Sequence, residues 1–220
     1  MTKSALLLGA SGLVGSSLLR LLLEGADYEK VTVFVRRELK LEHPKLVQRV
    51  VDFERLGEFS AEFRVDDVFC CLGTTIRKAG SQEAFRKVDF TYPVECAKLA
   101  KAEGAERFLI ITAMGANARS GIFYNRVKGE VEEALMGLHL PSLHIFRPSL
   151  LLGERAEMRV GESIGIKLAP VLGAVLVGPL RKYRAIEGRV VAKAMYRVAQ
   201  GVDARVHVYL SDRIAEVGRA

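Results

Sequence analysis

The sequence has no tryptophan, three cysteines and six prolines in 220 residues. So few cysteines exclude a disulfide-stapled secreted scaffold, and Cys70, Cys71 and Cys96 lack the paired spacing of zinc ligands. His139 and His144 have no cysteine or carboxylate at ligand spacing either, so no metal site is expected. Cys70 and Cys71 are adjacent in an apolar run, which on a strand sends them to opposite faces as reduced, buried thiols. The apolar, glycine-rich stretch 164–180 is broken by Lys167, Pro170 and Gly173 and falls short of the roughly 20 apolar residues of a membrane helix. It reads instead as the lining of an apolar pocket, an oligomer contact or an ordinary buried helix and loop. The first apolar run is too short for a signal peptide and leads straight into glycines, so a cytoplasmic location is expected. Gly-Lys-Ser/Thr is missing, which counts against an ATP-type P-loop.

Acidic charge is also in deficit, with 26 Asp and Glu against 33 Lys and Arg and a net charge of +7. Such a balance suits nucleic acid, an anionic membrane face or a phosphorylated ligand. The basic residues are scattered, apart from short clusters such as Arg36-Arg37 and Arg181-Lys182, and no aromatic-rich strand motif accompanies them. Nucleic acid is therefore disfavoured as a partner.

What remains is ordinary globular composition, 50% hydrophobic and 27% charged, in a chain long enough for one core. One domain over residues 1–220 is expected, with residues from about 150 onward supplying the substrate side. Near-continuous apolar runs at 3–9, 31–35, 46–51, 67–72, 107–112 and 142–147 read as strands buried on both faces. Helical patterns lie between them at 13–23, 82–103 with Pro93 as an interruption, 121–137 and 187–200. Alternating strands and helices predict an α/β, doubly wound (Rossmann) parallel sheet with helices on both faces.

Three groups of residues carry chemistry. Gly9, Gly12 and Gly15 follow the first strand and open the first helix, with Ser11, Leu13 and Val14 between them, which is where a dinucleotide pyrophosphate binds. Where NAD-specific proteins carry a ribose-binding acid after the second strand, this chain has Arg36 and Arg37, which suit the 2′-phosphate of NADP(H) and favour it over NAD(H). Asp52 and Phe53 follow the third strand, where a carboxylate can accept from the adenine amino group and a ring can support the base. Tyr124 and Lys128 stand at i and i+4 on one helix face. A neighbouring cation favours the tyrosinate form of a phenol, which suits it to exchange protons with a hydroxyl or carbonyl.

These residues in this order resemble the atypical short-chain dehydrogenases/reductases, which carry Gly-x-x-Gly-x-x-Gly. Phe69-Cys70-Cys71-Leu72-Gly73-Thr74-Thr75, Lys78-Ala79-Gly80-Ser81, Val127-Lys128-Gly129-Glu130-Val131-Glu132 and Arg147-Pro148-Ser149-Leu150-Leu151-Leu152-Gly153 are similar to the HIV Tat-interacting-protein-like oxidoreductase family. The resemblance implies a Rossmann fold with bound NADP(H). It also implies cofactor contacts from Leu72, Gly73, Thr74 and Lys128, with Arg147 and Pro148 near the nicotinamide. Tyr124 and Lys128 match the catalytic pair. Where relatives carry Ser-Ser this chain reads Thr112-Ala113, so Thr112 is the remaining candidate for the third catalytic hydroxyl. The resulting expectation is an NADP(H)-dependent oxidoreductase acting on an unknown small carbonyl or alcohol. The alternative is a regulatory NADP(H) sensor that binds a protein partner without turnover. A homo-oligomer is compatible with either.

Overall fold

The computed structural model describes residues 2–153, 178–202 and 204–220. Six of the strands are β1 (Lys3–Leu8), β2 (Tyr28–Val35), β3 (Leu46–Val50), β4 (Asp67–Cys70), β5 (Arg107–Ile111) and β6 (Ser142–Arg147). They join a seven-stranded sheet in the order β3-β2-β1-β4-β5-β6-β9, in which every pair is parallel and β9 is Arg205–Leu210. A short parallel pair, β7 (Leu151–Leu152) with β8 (Ile186–Glu187), lies outside it. The helices are α1 (Leu13–Glu24), α2 (Ile76–Ala79), α3 (Gln82–Arg86), α4 (Tyr92–Ala102), α5 (Phe123–Gly137), α6 (Gly188–Val198) and α7 (Ser211–Arg219). This is the doubly wound Rossmann arrangement expected from the sequence.

The alternation within β1 shows how the layers are separated. Ala5 and Leu7 enter one core with Leu18 and Leu22 of α1 and Val191 and Met195 of α6. Leu6 and Leu8 enter the other with Val94 and Ala97 of α4 and Val131 and Leu135 of α5. Successive strand residues face opposite layers, so the sheet is apolar on both sides. Cys70 and Cys71 obey the same rule: Cys70 lies in the α4–α5 core, and Cys71 packs against the α1–α6 core. Winding reverses at β1, which pairs Leu8 with Phe34 on β2 and with Cys70 on β4. The crevice at the carboxyl ends of β1 and β4 is the switch point where open parallel sheets bind ligands.

Two features depart from the sequence expectations. Pro93 does not interrupt the helix. It follows closely on a π turn at Lys87–Thr91 that joins α3 to α4, so helical backbone runs through residues 82–102 and the irregularity lies just before the proline, whose missing N–H leaves a preceding carbonyl without that donor. The strand β9 and the helix α7 had no counterpart among the expected elements. Of the apolar stretch 164–180, residues 164–177 lie outside the described residues, and its end begins a short 3-10 segment, Gly178–Tyr183.

At the opposite end of the sheet, a buried carboxylate ties the strands together. Asp67, fully buried, accepts from Arg107 Nη1 at 2.9 Å, Lys3 Nζ at 3.3 Å and the Tyr28 hydroxyl at 2.6 Å. Burial first, and then the charge of Asp67, push the Tyr28 phenol well above its ordinary value, so it remains a donor. Asp67→Ala removes the carboxylate these three groups share, leaving Lys3 with Ala199 and Gln200, Arg107 with Glu106 and the Tyr28 hydroxyl with Gln200. It is expected to lower stability by about 2–4 kcal/mol, somewhat less than for a fully buried pair because Lys3 and Arg107 keep some solvent. Urea denaturation checks this by a lower midpoint at unchanged slope.

Candidate functional site

The three glycines at the crevice do different work. Gly9 has φ +81°, and a Cβ there would lie 2.5 Å from the Cys71 carbonyl oxygen, because β1 and β4 leave the sheet in contact. A Cβ on Gly15 would stand 2.1 Å from the Gly9 carbonyl oxygen, so Gly15 lets α1 pack on the turn. Gly12 is exposed, and a Cβ there would meet only the Gly9 carbonyl oxygen, at 3.3 Å. That cradle fits a phosphate. No side chain caps the start of α1, and its first turn has no acidic residue, so its amides and dipole remain available to an anion. Ser11 is exposed beside Gly12, whereas the Val14 side chain lies in the core and Leu13 packs where Gly153 and Gly188 leave room for it.

Arg36 and Arg37 follow β2 and are exposed, and neither guanidinium is hydrogen-bonded or ion-paired among the described residues. Asp52 is also exposed, with Oδ1 accepting from the Glu54 amide at 3.0 Å to cap the following helical segment. Phe53 lies against the Tyr92 ring, centroids 5.4 Å apart. After β4, Leu72 packs on the α4–α5 core, Gly73 is exposed, and the Thr74 amide donates to Asp89 Oδ2 at 2.9 Å.

The face of α5 carries Tyr124, Lys128 and Glu132, one per turn. Tyr124 is half-buried, with its ring 5.6 Å from that of Phe85. It lines a cavity of about 440 Å³ with Ala113, Met114, Pro148, Ser149 and Tyr183. Behind it Lys128 is buried, its Nζ 2.7 Å from Asp89 Oδ1. Burial disfavours the ammonium, but Asp89 and then Tyr124 outweigh it, so Lys128 titrates above the ordinary lysine value. The sign follows: the pair's stabilisation is complete below pH 10.5, the unperturbed value, and is lost as pH rises through the higher folded-state value.

Glu132 accounts for two other candidates. The Thr112 hydroxyl donates to Glu132 Oε1 at 2.5 Å and is buried. The Arg147 guanidinium grips the same carboxylate through Nε, 3.0 Å from Oε1, and through Nη2. The Thr112 hydroxyl is thus engaged with Glu132, and Ala113, which has no hydroxyl, lines the cavity with Tyr124. Arg147 likewise joins β6 to α5, while Pro148 borders the cavity. Glu132 and Asp89 had no role in the sequence reading. Glu132 was signalled by its place in the family-like segment 127–132 and by its i+4 spacing from Lys128, and Asp89 by nothing.

A family model described as NAD(P)H-binding matches residues 9–139. The protein HTATIP2 of Rattus norvegicus is 44% identical over 169 residues, covering 75% of this chain and 69% of that protein. The mitochondrial protein FMP52 of Debaryomyces hansenii is 34% identical over 204 residues, covering 89% and 87%. Among solved structures, UDP-glucose 4-epimerase of Thermotoga maritima with UDP-glucose has a TM-score of 0.71 at 16% identity, over 98% of this chain and 80% of that one. The Bordetella bronchiseptica enzyme WbmH in complex with NAD+ scores 0.71 at 16% identity, over 96% and 76%. At such identity these structures speak for the fold alone. The relatives also correct the location expected from the sequence: the yeast FMP52 proteins are named mitochondrial, so a cytoplasmic location does not stand. No helix among the described residues is long and apolar enough to cross a membrane. With its Rossmann sheet, its glycine turn and these relatives, the chain belongs to the NAD(P)H-binding, HIV Tat-interacting-protein-like atypical short-chain dehydrogenases/reductases.

Proposed function

We propose that the protein is an NADP(H)-dependent oxidoreductase acting on a small carbonyl or alcohol compound, with Tyr124 as the acid/base group. One observation carries the reading: Tyr124 borders a cavity while Lys128, a buried cation one turn along the same helix, stands behind it. When bound, the nicotinamide supplies or accepts the hydride. The chain does the rest. The amides at the start of α1, with Gly12 leaving them open, hold the pyrophosphate. Gly73 lets the cofactor approach Lys128, whose ammonium holds the nicotinamide ribose. The Tyr124 hydroxyl gives a proton to the developing alkoxide, or takes one from an alcohol, and the nearby ammonium stabilises the phenolate left behind.

The two arginines after β2 favour NADP(H), because a guanidinium gains more from a phosphate than from two neutral hydroxyls. Losing one charge-assisted contact costs about 1.5–3 kcal/mol, so Arg36→Ala is expected to weaken NADPH binding about tenfold or more and to leave NADH nearly unchanged. Fluorescence titration with both dinucleotides checks this. Equal affinities of the unmutated protein for the two would overturn the preference.

A second reading, an NADP(H) sensor without turnover, is favoured by one observation. The hydroxyl that would steady a developing oxyanion is missing at Ala113, and that of Thr112 is bound to Glu132.

A further inference from the structure

The cavity beside Tyr124 has walls of one kind. Ala113, Met114, Pro148 and Leu150 supply apolar surface, and none of the described residues that line it carries a charge. The charged groups beside these walls are already paired. Arg147, the chain neighbour of Pro148, grips Glu132 with Nε 3.0 Å from Oε1, and Lys128, one turn along from Tyr124, lies 2.7 Å from Asp89 Oδ1. Of the three hydroxyls in the lining, that of Ser149 is spent: it donates to the Arg184 carbonyl oxygen and lies 2.9 Å from Ser211 Oγ. Tyr183 is 51% exposed and belongs to the mouth, where the Lys182 ammonium stands 5.3 Å from its ring centroid. Tyr124 is left as the half-buried hydroxyl of the lining, with no hydrogen-bond partner among the described residues.

We propose that the substrate is an uncharged, largely apolar carbonyl compound, or the corresponding alcohol, with its oxygen at Tyr124 and its hydrocarbon part against Met114, Pro148 and Leu150. The inference rests on the reading of Tyr124 as the acid/base group and names the class of compound that site takes. A carboxylate or phosphate placed against these walls would give up water and gain no partner, since the cations behind them are committed to Glu132 and Asp89. An unpaired charge in such a place is costly. Each methylene moved from water onto apolar walls is instead worth about fourfold in affinity. The volume of about 440 Å³ lies within the range of small-molecule sites. Arg181 and Lys182 precede Tyr183 in the same 3-10 segment but do not line the cavity.

The test measures binding apart from turnover, in excess NADP+, which has no hydride to give to a ketone. Saturation-transfer NMR titrations use 2-butanone, 2-hexanone and 2-octanone, together with 5-oxohexanoate, in which a carboxylate replaces the terminal methyl of 2-hexanone. Dissociation constants are expected to fall about tenfold for each pair of methylenes along the ketone series. 5-Oxohexanoate is expected to bind at least about tenfold more weakly than 2-hexanone. Met114→Lys sets an ammonium in the apolar wall and is expected to raise 5-oxohexanoate relative to 2-hexanone by at least about tenfold, which places both ligands in this cavity. Ketones that do not bind, or a series with no dependence on length, overturn the proposal. So does 5-oxohexanoate binding as tightly as 2-hexanone, which would assign recognition to the cations next to Tyr183. A preference unchanged in Met114→Lys puts the ligands outside the cavity and overturns it too. Ketones that bind as expected but are not reduced when NADPH replaces NADP+ leave the proposed ligand class standing and defeat the oxidoreductase reading instead.

Discussion

Tyr124→Phe is expected to reduce NADPH-dependent turnover of carbonyl compounds by about 10²–10⁴-fold while changing NADPH affinity little, because it deletes one oxygen from an acid/base group. The ring contact with Phe85 survives the change, so folding and cofactor binding have no reason to suffer. Lys128→Ala differs in kind. It removes the cation behind the phenol and also leaves Asp89 buried without its partner, so turnover, binding and stability should all fall. NADPH oxidation against a panel of aldehydes, ketones and quinones measures the first effect. A Tyr124→Phe protein that keeps the parental rate on a substrate the parent reduces would remove Tyr124 from the chemistry. A sensor that does not turn over would show no such rate to lose.

Gly12→Val should abolish dinucleotide binding, by at least about 100-fold or roughly 2.7 kcal/mol, and leave the fold intact. Gly12 has φ −80° and ψ 171°, a conformation open to any residue, and the space beside it is bounded only by the Gly9 carbonyl oxygen. The Cβ of the branched side chain stands 3.3 Å from that oxygen, a tight contact that a shift of a few tenths of an ångström relieves, and the rest of the side chain enters the volume assigned to the pyrophosphate. The flanking glycines make the control. Gly9→Val and Gly15→Val place Cβ atoms within 2.5 Å of backbone oxygens and should unfold the turn itself. Circular dichroism with NADPH fluorescence distinguishes the cases, and a folded Gly12→Val protein that binds normally would place the cofactor elsewhere.

The parallel sheet was legible because its buried strands are near-continuous apolar runs, and the first turn because glycine is demanded at Gly9 by a positive φ. Tyr124 and Lys128 were legible for a simple geometric reason: i and i+4 share a helix face. By contrast β9 escaped notice. Its apolar residues alternate with Arg205 and His207, and Val206 and Val208 remain 43% and 44% exposed at the sheet edge, so it lacks the signature of the central strands. Asp89 could not be found at all, since its position depends on a π turn that resets the helical phase. Thr112 was placed correctly at a strand end, but the direction of its hydroxyl is decided by Glu132, which arrives twenty residues later from α5. Neighbour-dependent orientation of this sort is a tertiary property, and local spacing does not contain it.

The central claim is that the crevice at the ends of β1 and β4 holds a nicotinamide dinucleotide against Tyr124 and Lys128. Calorimetric titration of the unmutated protein with NADPH tests it most directly. Saturable binding of one NADPH per chain, lost in Gly12→Val and weakened in Lys128→Met, is the result this account predicts. Absence of binding to a folded protein, or binding indifferent to both substitutions, would contradict it.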